Sequence, residues 1–183
     1  MRVISGSARG RRLQEPADYK VRPTTDKVKE SIFNIIQFDI EGRKALDLFA
    51  GSGQLGIEAL SRGAAHCTFV DRAPDSLKLI RANVNTCGFN ENSKIVAGDS
   101  ISYLASGEKF DLIFLDPPYD TDLLEKALKS VNKFDILKEN GIMVCESQRE
   151  KVLPELTEPY YLLKEYNYGK IKITTYSRRA NDK

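Results

Sequence analysis

One histidine, His66, and three cysteines, Cys67, Cys87 and Cys145, are all the imidazole and thiol ligands this 183-residue chain offers a metal. A lone imidazole cannot build a histidine-based cluster. Ser-His-Asp chemistry would have to run through that one residue, so much hydrolase chemistry is disfavoured. The cysteines are too few and too scattered for a disulfide framework or a zinc site, which suits a reducing cytoplasm and leaves no metal expected. No apolar run approaches the ~18 residues of a membrane span. The opening Met1-Arg2-Val3-Ile4-Ser5-Gly6 has no signal-peptide character, so no membrane is expected. Charge of one sign is also lacking, the net value being only +2. Hydrophobic residues make up 41% and charged residues 30%. That balance, at this length, suits one domain or one domain with a short extension.

The distribution of charge says more than its sum. Residues 2–29 carry a local balance of +5, residues 164–183 carry +4, and the middle of the chain is −7. Basic ends around an acidic centre suit a polyanion gripped at the periphery and a different ligand in the middle. The alternative is that these lysines and arginines are simply solvated.

There is no repeat, and no linker is long enough to separate full domains. Arg2-Val3-Ile4 and Arg11-Arg12-Leu13 flank a loop of small residues and predict a hairpin, giving a basic extension over 1–22 before a main domain over 23–183. Arg9, Arg11, Arg12, Lys20 and Arg22 are its candidate phosphate contacts. Thr24 and Thr25 offer N-cap hydroxyls, and Val28, Ile32, Ile35 and Ile36 predict a helix over 26–38. Short apolar runs then predict strands at 45–49, 67–70, 95–97, 112–115 and 142–145. Helices are predicted between them at 54–62, 75–87, 101–105 and 123–132. Continuous apolar strands alternating with helices mean a parallel sheet covered on both faces. Segments 160–166 and 170–176 predict a closing antiparallel hairpin. The fold expected is a three-layer α/β sandwich.

The chemistry begins where the first of these strands runs into Ala50-Gly51-Ser52-Gly53-Gln54-Leu55-Gly56. Gly51, Gly53 and Gly56 satisfy the dinucleotide spacing, and Asp71 stands 20 residues beyond Gly51 at the end of the next strand. Its carboxylate suits both hydroxyls of a ribose. Asp99, after the third strand, falls on the same edge, where it can receive an adenine amine or cap the next helix with Ser100. By spacing alone this describes a nicotinamide enzyme as well as any other nucleotide binder.

Asp116-Pro117-Pro118-Tyr119, directly after the fourth strand, narrows the choice. Proline lacks an N–H, so the Pro117 carbonyl and the Asp116 carboxylate stand together as acceptors without a competing donor. Two acceptors side by side suit a planar exocyclic amine, and orienting its hydrogens frees its lone pair for an electrophilic methyl. Tyr119 offers a face on which a base can stack. A nicotinamide oxidoreductase gives this motif no task.

With these motifs the chain resembles class I methyltransferases that use S-adenosylmethionine, specifically the RsmD family, which methylates the exocyclic N2 of a guanine in small-subunit (16S) ribosomal RNA. The resemblance rests on Arg2-Val3-Ile4-Ser5-Gly6, Gly10-Arg11-Arg12-Leu13, Arg22-Pro23-Thr24, Lys29-Glu30-Ser31-Ile32-Phe33-Asn34 and Asp47-Leu48-Phe49-Ala50-Gly51-Ser52-Gly53. It implies a Rossmann-like, seven-stranded and mostly parallel sheet with an antiparallel last strand. It implies the cofactor's methionine end near Asp47 and the turn Ala50, Gly51, Ser52 and Gly53, ribose at Asp71 beside Arg72, and adenine near Asp99 and Ser100. Asp116 borders this cofactor site and, with Pro117, Pro118 and Tyr119, forms the catalytic motif. The partner implied is ribosomal RNA or an assembling small subunit, met by a cytoplasmic monomer. Gln54 stands where a smaller residue is expected. DNA adenine methylation would call for extra mass to read a duplex, and a non-catalytic RNA-binding module would leave the central motifs idle. The Tyr160, Tyr161, Tyr166 and Tyr168 series reads as hairpin packing.

Overall fold

In the computed structural model, which describes residues 1–16 and 25–180, the first helix begins at a hydroxyl cap. The Thr25 side chain accepts the Val28 N–H, and α1 (Asp26–Ile35) follows with Val28, Ile32 and Phe33 buried. Thr24 lies outside the described residues. The helix stops short of the expected Phe38. A turn closed by the Asp39 N–H on the Ile36 carbonyl (2.8 Å) brings Ile40 into the core and leaves Phe38 outside, 92% exposed. Hydrophobic spacing could not see that reversal.

From there strands and helices alternate: β1 (Lys44–Asp47), α2 (Gln54–Ser61), β2 (His66–Asp71), α3 (Pro74–Cys87), β3 (Ser93–Ala97), α4 (Ser100–Tyr103), β4 (Phe110–Leu115), α5 (Leu123–Phe134) and β5 (Leu137–Gln148). The chain ends on β6 (Tyr160–Tyr168) and β7 (Ile171–Arg178). The sheet order is β3-β2-β1-β4-β5-β7-β6. β1 pairs in parallel with β2 and β4, while β7 runs antiparallel between β5 and β6. One core, holding Phe33, Phe69 and Phe114, lies under α1, α2 and α3. The other, holding Leu46, Ile113 and Leu128, lies under α5. The expected three-layer sandwich is present.

β5 is longer than the expected 142–145. Phe110 pairs with Leu137 and Leu112 with Ile142, so a bulge centred on Asn140 (φ +57°) interrupts one strand rather than separating two elements. Likewise β6 runs through Tyr168 and turns at Gly169 (φ +60°), where the sequence suggested a longer loop.

The N-terminal hairpin exists as an Arg2–Arg12 antiparallel bridge, with the Val3 N–H on the Arg11 carbonyl and the Gly10 N–H on that of Val3. Val3, Ala8 and Leu13 belong to the core. Glu58 of α2, fully buried, accepts the N–H groups of Ile4 (2.8 Å) and Ser5 (3.0 Å) and the Nε of Arg62 (2.8 Å). Fully buried Lys29 stands 3.8 Å from the same carboxylate and donates to the Arg2 carbonyl. Burial pushes the Lys29 ammonium below its ordinary pKa, and Glu58 opposes that shift. Gly6 (φ +82°) passes so close to α2 that a Cβ there would sit 1.7 Å from the Ser61 carbonyl oxygen.

Candidate active site

The carboxyl ends of β1, β2 and β4 converge because these strands are parallel neighbours; β1 and β2 end at an acid and β4 runs straight into one. Asp47 closes β1 at 2% exposure, and its Oδ2 accepts the Gly56 N–H at 3.0 Å. Burial, reinforced by the nearby Asp116 and Asp71 carboxylates, pushes its pKa up to about 8 against that stabilising bond.

Between Asp47 and α2 the loop turns at Gly51 (φ +56°) and Gly53 (φ +80°), both left-handed. A Cβ on Gly51 would meet nothing nearer than the Phe49 oxygen at 4.0 Å, so this side of the loop is an open backbone surface. Gly56 does different work. A Cβ there would fall 2.3 Å from the Phe69 ring and 2.6 Å from the Cys67 sulfur, so its lack of a side chain lets α2 lie on β2. Ser52 is held through its carbonyl by Asn83 Nδ2 (2.9 Å), and the same fully buried amide bonds both the N–H and the carbonyl of Gln14. Sequence reading missed Asn83, whose only signal is an amide on the inward face of α3. Ala50 is tied back to β2 by its N–H on the Val70 carbonyl.

Asp71 uses one oxygen for the Gly51 N–H and the other for the Ala73 N–H, both at 2.9 Å. Each oxygen keeps acceptor capacity. Asp99 caps α4 through the Ser102 N–H (2.8 Å), and this bond draws its carboxyl below the usual range. The buried Ser100 hydroxyl donates to the Leu48 carbonyl at 2.7 Å, anchoring α4 to the end of β1. Arg72 is exposed nearby.

Asp116 and Tyr119 are half-buried, Pro117 is buried and Pro118 exposed. The loop is pinned by the Thr121 hydroxyl on the Pro118 carbonyl (2.7 Å) and by Lys151 Nζ on the Thr121 carbonyl (2.9 Å). The Tyr119 hydroxyl donates to Glu146 Oε1 at 2.5 Å. Glu146, on β5 and 5% exposed, was not singled out from sequence. An acid beside the apolar run Val144-Cys145 was the available signal.

Arg9, Arg11 and Arg12 are exposed on the hairpin, while Lys20 and Arg22 lie outside the described residues. Two cations of the basic C-terminal hairpin are committed elsewhere. Lys172 is buried against Glu165 and the Lys151 carbonyl, and Arg178 grips Asp135 through two bonds of 2.7 and 3.0 Å. Tyr160 belongs to the core under α5, and Tyr166 and Tyr168 pack against the core on the opposite face. His66 opens β2, at the opposite edge of the sheet from Asp71, which closes it. Cys67 and Cys145 are buried with thiols pushed upward by burial, and Cys87 is half-buried. Among the described residues no three His, Cys, Asp or Glu side chains are placed to hold a metal, and no helix is long and apolar enough to cross a membrane.

This strand order, with a glycine turn and acids along its carboxyl edge, is the fold of class I methyltransferases. Residues 1–177 match the family described as conserved hypothetical protein 95, and the chain belongs to that family. YlbH of Bacillus subtilis (strain 168) is 43% identical over 98% of this chain and 100% of its own. Ribosomal RNA small subunit methyltransferase D of Escherichia coli (strain K12) is 37% identical over 98% and 91%. The solved structure of yhhF from Escherichia coli superposes with a TM-score of 0.88 at 34% identity, covering 99% of each chain. The RsmD resemblance thereby extends over nearly the whole chain.

Proposed function

We propose that this protein transfers a methyl group from S-adenosylmethionine to the exocyclic N2 of a guanine in small-subunit (16S) ribosomal RNA. The observation carrying this reading is the placement of Asp116-Pro117-Pro118-Tyr119 at the end of β4, beside an acid-lined glycine cradle on β1 and β2. The cradle fits the cofactor. The open backbone at Gly51 admits a ligand closely, and a desolvated Asp47 crowded by two carboxylates suits a cationic ligand. S-adenosylmethionine supplies an electrophilic methyl on a sulfonium. Asp47 and the turn 50–53 hold its methionine end, Asp71 with Arg72 the ribose, and Asp99 beside Ser100 the adenine.

The Asp116 carboxylate and Pro117 carbonyl accept the two hydrogens of the base amine and turn its lone pair outward. Tyr119, its hydroxyl fixed by Glu146, presents its ring to the base. After attack the nitrogen is cationic and strongly acidic, so its proton leaves to Asp116 or water with no tuned base required. Arg9, Arg11 and Arg12 contact RNA phosphates.

Nucleoside mass spectrometry of small-subunit ribosomal RNA, from cells with and without this protein, tests the reading. N2-methylguanosine should disappear with the protein and return when the purified enzyme and S-adenosylmethionine are added. N6-methyladenosine in its place would refute the base assignment while preserving the amine chemistry.

A further inference from the structure

Glu146 stands at a position where a carboxylate can decide which base enters. β4 and β5 are parallel, with Phe114 opposite Val144 and Leu115 opposite Cys145. The next residues along are Asp116 and Glu146, on strands about 4.8 Å apart. Alternation puts Glu146 on the face of Val144, and its antiparallel partner Ile173 belongs to that same core. An acid this buried costs free energy unless a donor meets it. The Tyr119 hydroxyl is such a donor, and it takes Oε1. The bond fixes the carboxylate beside the ring proposed to stack the base.

Resting on the guanine-N2 reading, we infer that Glu146 is a specificity-determining residue that accepts N1–H of the target guanine while Asp116 and Pro117 accept from N2. Guanine carries N1–H and N2–H₂ side by side, a row of donors that matches a row of acceptors on neighbouring strand ends. Adenine presents a lone pair at N1, which a carboxylate repels. A buried acceptor left facing another acceptor loses its bond and gains repulsion, which is a stronger filter than shape.

The test uses 2-aminopurine, which keeps the C2 amine but has a bare N1. Unmodified small-subunit ribosomal RNA is assembled with guanine or 2-aminopurine at the nucleotide mapped by mass spectrometry. The ratio of kcat/KM on the two RNAs is then read for the unsubstituted enzyme and for Glu146→Gln. Glutamine keeps an oxygen for the Tyr119 hydroxyl and adds an N–H that can donate to a bare N1. The guanine preference should therefore fall by about tenfold or more. A ratio within one preparation does not depend on how much of the variant is folded. An unchanged ratio, with activity lowered equally on both RNAs, would make Glu146 a support for Tyr119 only and overturn the inference. Failure of the unsubstituted enzyme to methylate the guanine RNA would instead overturn the reading on which it rests.

Discussion

The Gly56 N–H donates to Asp47 Oδ2 across 3.0 Å, joining the end of β1 to the first turn of α2, and it does not suffice to keep that carboxyl acidic. Burial and the Asp116 and Asp71 charges hold Asp47 at about 8. The folded protein thus retains a proton that the unfolded chain has released above its ordinary 3.8. Stability from this group is present at low pH and falls as pH rises through that window to about 8. Asp47→Asn should flatten the fall, raising the melting temperature of the cofactor-free protein near pH 8 but not near pH 4. A variant melting no higher than the parent at pH 8 contradicts the assignment.

A cationic ligand beside Asp47 reverses the balance and expels the proton. Calorimetry of S-adenosylmethionine binding at pH 7, in buffers of different ionisation enthalpy, should show release approaching about one proton. The release should vanish in Asp47→Asn. Cofactor affinity should correspondingly strengthen as pH rises toward 8.

Asp116 and Asp71 should separate in their effects. Asp116→Ala removes the acceptor proposed for the base amine and should abolish methyl transfer with little loss of cofactor affinity. Asp71→Ala should weaken cofactor binding first, since it removes the proposed ribose acceptor and the bond that holds Gly51. Equal loss of cofactor affinity in both variants would rule out this division of labour.

At saturating cofactor the single-turnover rate should be nearly flat from about pH 6.5 to 8.5, because no tuned acid–base pair is needed. His66→Gln should not change it, His66 lying at the far edge of the sheet. A titration near neutrality that disappears in this variant would overturn the mechanism.

Charge removal on the hairpin should act on RNA alone. Each of Arg9→Ala, Arg11→Ala and Arg12→Ala should reduce the slope of log affinity against log salt by roughly 0.7–0.9 for every phosphate it no longer reaches, leaving cofactor binding intact. Deleting residues 1–20 is no substitute, because Val3, Ala8 and Leu13 are core. An unchanged slope in all three variants would move the RNA site elsewhere.

Glu58→Gln should cost about 3–5 kcal/mol in urea unfolding, since it strands Lys29 as a buried unpaired charge. Adding Lys29→Met to the same chain should restore some of the loss. A cost below about 1 kcal/mol would show that the Lys29–Glu58 pair is dispensable.

The order of strands and helices along the chain, the glycine turn, the acids at 71 and 116 and the closing hairpin were legible in sequence, whereas Asp47 came only with the family resemblance. Local periodicity and turn chemistry encode them within a few residues of one another. Element ends were less legible where a long-range contact set them. Ile40 reaching the core stops α1, and pairing with β4 on both sides of Asn140 makes 137–148 one strand.

What the sequence by itself determined was therefore the set of structural elements and the edge on which they gather, because parallel strands separated by helices bring every strand's end to one side. What tertiary structure alone decided was which charges are free and which are spent. Lys172 and Arg178 look as available as Arg11 along the chain, yet one is buried on Glu165 and the other locked to Asp135. Lys29 and Glu58 are far apart in the chain and meet as a pair only when α1 and α2 cover the same sheet face. Glu146 reaches Tyr119 only because β5 lies beside β4. Burial and pairing depend on neighbours distant in the chain, and a charged side chain carries no local mark of either.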